Sequence, residues 1–117
     1  MSNPFGFVPA NLLPRLATGK PYTLLLLKKG KNYGAPESAR IIQAEHLPHL
    51  FRLQDEGIMS FSMPITQEEG DLAGIGVYNL IDKEEVKKHV EADPAVQAGL
   101  FTYELISCMG LKGDILQ

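Results

Sequence analysis

The sequence predicts an α+β domain: one antiparallel sheet of four strands, with two helices on the same face. Three observations carry that expectation. The run Tyr22-Thr23-Leu24-Leu25-Leu26-Leu27-Lys28-Lys29 has the length and continuity of a strand covered on both faces. The stretch from Glu37 to Glu56, stopped by Gly57, has the apolar period of a helix. Two further strand-like segments, a capped helix and a last strand then complete the order strand, helix, strand, strand, helix, strand.

Composition sets the frame. The chain has 117 residues, of which 44% are hydrophobic and 21% charged, the profile of one globular domain with its own core. The net charge is -3 and the Lys and Arg residues are scattered. Nucleic acid is therefore not an expected partner, because phosphate binding needs a concentrated basic face. The single cysteine, Cys108, excludes an internal disulfide and suits a reducing compartment. No apolar run approaches the ~20 residues of a membrane span, and the start of the chain lacks the pattern of a signal peptide. The expected location is the cytoplasm.

Residues 1–20 hold Pro4, Pro9, Pro14, Gly6 and Gly19 among Phe5, Phe7, Val8, Leu12, Leu13 and Leu16. Prolines at this density exclude a long helix or a central strand. We read an extended arm, with room for one helical turn near Asn11 to Leu16, that packs on a surface of this subunit or a neighbour. The first strand comes next, bounded by Pro21 and Gly30. The loop Gly30-Lys31-Asn32-Tyr33-Gly34-Ala35-Pro36 lacks the spacing of a phosphate loop.

The first helix is expected over residues 37–56, with Pro36 at its start and Gly57 past its end. At about 100° per residue, Ile42, His46, His49, Leu50 and Leu53 share one side, extended by Leu47 and Phe51. Pro48 removes a backbone bond; it lies opposite the apolar side, so a kink facing solvent is expected there. Ile58-Met59-Ser60-Phe61-Ser62-Met63 alternates as a strand and ends at Pro64. After a polar, acidic loop, residues 74–81 form the next strand, with Gly74, Gly76, Tyr78 and Leu80 on one face. Two glycines on one strand face leave a hollow. Asp82 caps a helix that ends before Pro94. On that helix Val86, Val90 and Asp93 fall on one side. Residues 95–99 read as a connector, residues 101–109 as the last strand, and the chain from Gly110 as a short tail.

This order is the split pattern of ferredoxin-like domains. Both helices cover one sheet face, so the other must be covered, most simply by the same face of a second subunit. A homodimer is the expected assembly.

His46 sits inside an apolar arc and needs a hydrogen-bond partner or a pocket. Asp93 is aimed the same way and is the best partner. A carboxylate on one ring nitrogen fixes the tautomer and raises basicity at the other, which suits general acid/base chemistry. The plainer alternative is a buried bond that holds two helices together. His49, one turn on, Ser60 and Tyr78 are candidates to line a substrate pocket; each is equally readable as an ordinary framework residue. A metal at His46 and His49 lacks a third ligand singled out by spacing, and none is expected. Arg40 and Arg52 point by their angles to solvent or subunit contacts. His89 and the acidic loop read as solvated, and Cys108 as a core thiol.

The chain resembles the YCII-related (YciI-like) family of the dimeric α+β barrel group. The matching features are His46-Leu47 with Leu50, Leu53 and Gln54-Asp55-Glu56-Gly57, then Glu91-Ala92-Asp93-Pro94 with Ala98-Gly99. They cover roughly residues 21–110. The resemblance implies a ferredoxin-like dimer with a pocket between helices and sheet, and it carries a proposed catalytic histidine–aspartate pair onto His46 and Asp93. It also implies a range of chemistry: chloride elimination from a chlorinated hydroxyquinone within the family, and muconolactone isomerases and cofactor-free oxygenases in the wider fold group. Where the family often has Gly-Pro after the second strand, this chain has Met63-Pro64, a larger side chain expected to narrow the pocket.

The function expected on these grounds is that of a cofactor-independent enzyme for elimination or isomerisation of a small cyclic or aromatic oxygenated compound, with His46 as acid or base and Asp93 orienting it. The alternatives are a non-catalytic dimeric module that binds a small ligand or supports a partner, and a cofactor-free oxygenase. No cofactor and no membrane partner are expected.

Overall fold

The computed structural model of the protein describes Gly6 and residues 9–117. A 3-10 turn (Ala10–Leu12) leads into the one-turn helix α1 (Leu13–Leu16). The remainder of the predicted arm, residues 1–5, 7 and 8, lies outside the described residues. Leu12 and Leu13 are 45% and 53% exposed, while Arg15 of α1 lies 4.0 Å from Asp114 near the end of the chain.

The four strands are β1 (Gly19–Lys29), β2 (Met59–Pro64), β3 (Leu72–Tyr78) and β4 (Phe101–Leu111). They form one sheet in the order β2-β3-β1-β4, every neighbouring pair antiparallel. With the long helix and the later helix Lys83–Glu91 both packed in one core against the sheet, this is the ferredoxin-like α+β fold. β1 and β4 pair along their whole length, from Gly19 opposite Leu111 to Lys29 opposite Phe101. β3 pairs only with Thr23 to Lys28 of β1. The outer part of the β1–β4 ribbon therefore projects past the sheet, and the molecule measures 55 × 31 × 28 Å.

Alternation sets the two faces. Thr23, Leu25 and Leu27 are buried toward the helices, with Tyr78, Gly76 and Gly74 opposite them on β3. The other face carries the row Phe61, Val77, Leu24 and Ile106, one residue from each strand. β2 does not alternate simply. Its pairing with β3 shifts between Met59 and Phe61, leaving Ser60 in the irregularity. One extra residue reverses the faces of the strand beyond it, so Met59 and Ser62 both face the helices although three apart.

The long helix runs as α2 (Ser38–Ile41), a π-helical turn (Ile42–His46) and α3 (Leu47–Asp55) without interruption. The π turn sits directly before Pro48, where the sequence predicts a kink. Pro48 has no N–H for the carbonyl four residues back, and its ring presses on that carbonyl. The wider turn relieves the crowding, with the Leu47 N–H donating to the Ile42 carbonyl. Leu50 and Leu53 are buried as predicted, but Phe51, at the edge of the arc, is 53% exposed.

On the second helical layer, α4 (Lys83–Glu91) starts at Asp82, whose side chain accepts from the Glu84 N–H. Residues 95–99 are not a plain connector: Pro94–Gln97 form a short helix, α5, capped by Asp93. Val86, Val90 and Ala95 complete the core with Leu100 and Phe101. No helix among the described residues is long and apolar enough to cross a membrane.

The end of β1 is held against the α5–β4 turn, where the Gly30 N–H donates to the Leu100 carbonyl (2.7 Å) and the Asn32 N–H to the Gly99 carbonyl (3.0 Å). A Cβ at Gly30 would overlap the Gly99 carbonyl. Both sides of that clash are backbone, so neither yields by a rotamer change. Gly30→Ala is expected to lower stability by about 2 kcal/mol, read as a shifted urea midpoint with unchanged slope.

Candidate active site

Two local devices bring His46 and Asp93 together. His46 ends the π turn, just ahead of α3, on the side that faces the sheet. Asp93 precedes Pro94, whose ring disfavours a helical backbone before it; Asp93 is extended, with φ -69° and ψ 120°. That conformation makes it the N-cap of α5 and splits its carboxylate between two jobs. Oδ1 accepts from the Ala95 N–H at 2.9 Å. Oδ2 lies 2.6 Å from His46 Nδ1. The side chains are only 7% and 4% exposed.

With both carboxylate oxygens accepting, the hydrogen of the pair belongs on His46 Nδ1, which leaves Nε2 as the free ring nitrogen. Nε2 has no protein partner among the described residues. No fully buried side-chain nitrogen or oxygen lacks a partner there, so Nε2 reaches open space. That space is a cavity of about 180 Å³ between the sheet and the long helix, and His46 lines it. Leu25, Leu27 and Gly74 form its floor, and Ile42, Leu47 and Leu50 face them from the helix. Tyr33, Phe101, Ser62, Met63, Pro64 and Ile65 also stand at the wall, with Met59, Ala73 and Ile75 beside them. The Phe101 ring packs 5.1 Å from the imidazole, centre to centre. Among the described residues no Asp, Glu, Lys or Arg lines the cavity.

The hollow expected beside the two strand glycines is half filled. Gly74 opens on the cavity, whereas a Cβ at Gly76 would come 2.9 Å from the Met59 terminal methyl, which occupies that space. Met63 and Pro64 do stand at the wall.

The other sequence candidates lie elsewhere. His49 is buried but turns away from the cavity: its Nε2–H donates to the His89 carbonyl at 2.8 Å, and Nδ1 faces Arg52 Nη2 at 3.4 Å. It ties α3 to the end of α4. Tyr78 is 1% exposed and stacks on His89 rather than lining the cavity. Burial, and then the charge of Asp93, push its phenol well above the ordinary tyrosine range. Ser60 is exposed, and its hydroxyl donates to Asn79 Oδ1 at 2.5 Å. Among the described residues no group of three or more His, Cys, Asp and Glu side chains is placed to hold a metal ion.

Sequence reasoning missed Ser62, Gln54, Tyr33 and Phe101. Gln54 Nε2 donates to Ser62 Oγ at 3.0 Å. The acidic loop is not merely solvated: Lys29 Nζ donates to the Glu68 and Gly70 carbonyls (2.9 and 2.8 Å) and lies 5.5 Å from the Tyr33 ring centre.

The fold and the paired side chains define a ferredoxin-like α+β protein with a buried histidine–aspartate pair opening on an apolar cavity. The chain belongs to the YCII-related family, whose domain model matches residues 16–108. No curated protein matches the sequence. Seven chains of solved structures do. One is 5-chloro-2-hydroxyhydroquinone dehydrochlorinase (TftG) from Burkholderia phenoliruptrix AC1100, in complex with 2,5-dihydroxybenzoquinone. It is 23% identical, with a TM-score of 0.53, and the match covers 71% of this chain and 90% of that one. This likeness is one of fold.

Proposed function

We propose that the protein is a cofactor-independent enzyme that moves a proton with His46 to eliminate a group from, or isomerise, a small cyclic or aromatic oxygenated compound. The observation that carries the reading is His46 itself: Nδ1 is held by Asp93 at 2.6 Å and Nε2 faces an apolar cavity. Nε2 takes a proton from a ring carbon or hydroxyl, and the electron pair is taken up by the substrate's own conjugated oxygen. The imidazolium so formed lies against the Asp93 carboxylate, which offsets its charge. In an elimination from a chlorinated hydroxyhydroquinone, the hydroxyl proton taken by Nε2 is delivered to the chlorine-bearing ring carbon; chloride then departs with its bonding pair as a second hydroxyl releases its proton to solvent, which leaves a quinone. In an isomerisation Nε2 returns the proton to another atom of the ring. The dehydrochlorinase that shares the fold acts on a chlorinated hydroxyhydroquinone, which supports a single oxygenated ring as the substrate class.

The assembly belongs to the same proposal. The row Phe61, Val77, Leu24 and Ile106 leaves an apolar stripe across the open sheet face, and a second copy covers it by two-fold symmetry. Sedimentation should then give roughly twice 12.9 kDa. Cys108 forms no disulfide, which fits work in the reducing cytoplasm.

The test is turnover of 5-chloro-2-hydroxyhydroquinone by the purified protein in the absence of oxygen and of any added cofactor, with chloride release as the readout. Chloride release under nitrogen supports the reading. Release that requires oxygen and consumes it makes the protein an oxygenase instead. Tight binding of ring compounds with no product from this or related chlorinated and lactone substrates makes it a binding module.

A further inference from the structure

The cavity has a second polar group that the His46–Asp93 chemistry does not use. The irregularity at Ser60 turns Ser62 to the helix-facing side of β2, opposite Gly76, and there it lines the cavity. Its oxygen accepts from Gln54 Nε2 at 3.0 Å. A hydroxyl carries one hydrogen as well as its lone pairs, and Ser62 donates that hydrogen to no acceptor among the described residues. Tyr33 and His46 also stand at the wall, whose other side chains are apolar, and among the described residues no charged side chain lines it.

We propose that Ser62, oriented by Gln54, is a specificity-determining donor for an oxygen acceptor on an uncharged, single-ring ligand in the His46 cavity. The inference rests on the function proposed above and names its substrate class more narrowly. Size supports one ring: the cavity is about 180 Å³, and an enclosed apolar cavity of about 150 Å³ takes up benzene. Charge supports a neutral molecule, because a carboxylate brought into an apolar wall without a cationic partner loses its hydration and gains nothing comparable. Polarity supports an acceptor oxygen, because Gln54 occupies the Ser62 oxygen and leaves its O–H to be used. Gln54 is a positioning residue: it acts on the ligand only through the serine.

The experiment compares three para-substituted phenols of similar size by calorimetric titration: 4-hydroxyacetophenone, 4-ethylphenol and 4-hydroxybenzoate. The first has a carbonyl for Ser62, the second lacks it, and the third carries a charge. The protein is expected to bind 4-hydroxyacetophenone roughly three- to tenfold more tightly than 4-ethylphenol, the worth of one hydrogen bond, and 4-hydroxybenzoate least. In Ser62→Ala the carbonyl preference should vanish while 4-ethylphenol affinity holds. In Gln54→Leu the preference should shrink with the fold and 4-ethylphenol affinity intact, a pattern that a purely structural glutamine would not produce. If Ser62→Ala keeps the full preference, or 4-hydroxybenzoate binds best, the inference is wrong although the cavity still takes a ring. If none of the three binds the wild-type protein, the ring-binding function itself is overturned, and the role of Ser62 with it.

Discussion

Asp93→Ala is expected to remove about 3 kcal/mol of stability. Two losses add. The N-cap of α5 disappears with the bond from the Ala95 N–H, worth about 1 kcal/mol. The His46 Nδ1–H is left in a buried site with no acceptor, which costs about 2 kcal/mol. In a domain of this size the sum lowers the melting temperature by roughly 12 °C. Asp93→Asn behaves differently. Its amide oxygen keeps the cap, since asparagine is as good an N-cap as aspartate, and its NH₂ meets the imidazole. Thermal melts of the two variants side by side check this: the alanine variant should fall far below the asparagine variant, which should stay close to the parent.

His46→Asn is expected to leave the fold in place and cut turnover by roughly 10²- to 10⁴-fold, the usual worth of a positioned acid or base. Asparagine carries an N–H close to where Nδ1 stands, so the bond to Asp93 Oδ2 can be remade, but it has nothing in the place of Nε2. The effect should fall on kcat more than on KM, because Nε2 touches the reacting atoms rather than the bulk of the ring. Steady-state kinetics and a melting curve on the same sample separate this from simple unfolding. A variant that melts like the parent and turns over like the parent leaves His46 with a structural role only.

Much of this was legible in the chain because the physics is local or periodic. Leu25 and Leu27 alternate inward along a continuous apolar strand. Asp82 caps α4 by a bond to a neighbour two residues away. His46 and Asp93 stood out because each is a polar group on an apolar arc, and a buried polar group needs a partner. What escaped was set by contacts between elements. The shift between Met59 and Phe61 arises where β2 pairs with β3, and it decided that Ser62 rather than Ser60 faces the cavity. A period of two carries no mark of such an irregularity. The π turn is an answer to Pro48, but the sequence says only that strain exists there, not whether a kink or a wider turn relieves it. The helical angles put His49 beside His46; its side chain instead reaches the His89 carbonyl of α4, a packing partner that no spacing within one helix can name.

The proposed chemistry stands on one arrangement: Asp93 holds the proton on His46 Nδ1 and so keeps Nε2 bare toward the cavity. Long-range proton–nitrogen NMR of the imidazole reads that arrangement directly, at a pH where the ring is neutral. In the parent protein His46 should carry its hydrogen on Nδ1. In Asp93→Asn the amide donates to Nδ1, so the hydrogen should move to Nε2 and the base should be lost, as happens when the aspartate of a serine-protease triad is made asparagine. If the parent carries its hydrogen on Nε2, or both proteins show the same tautomer, Asp93 does not set the state of His46 and the proposed chemistry fails.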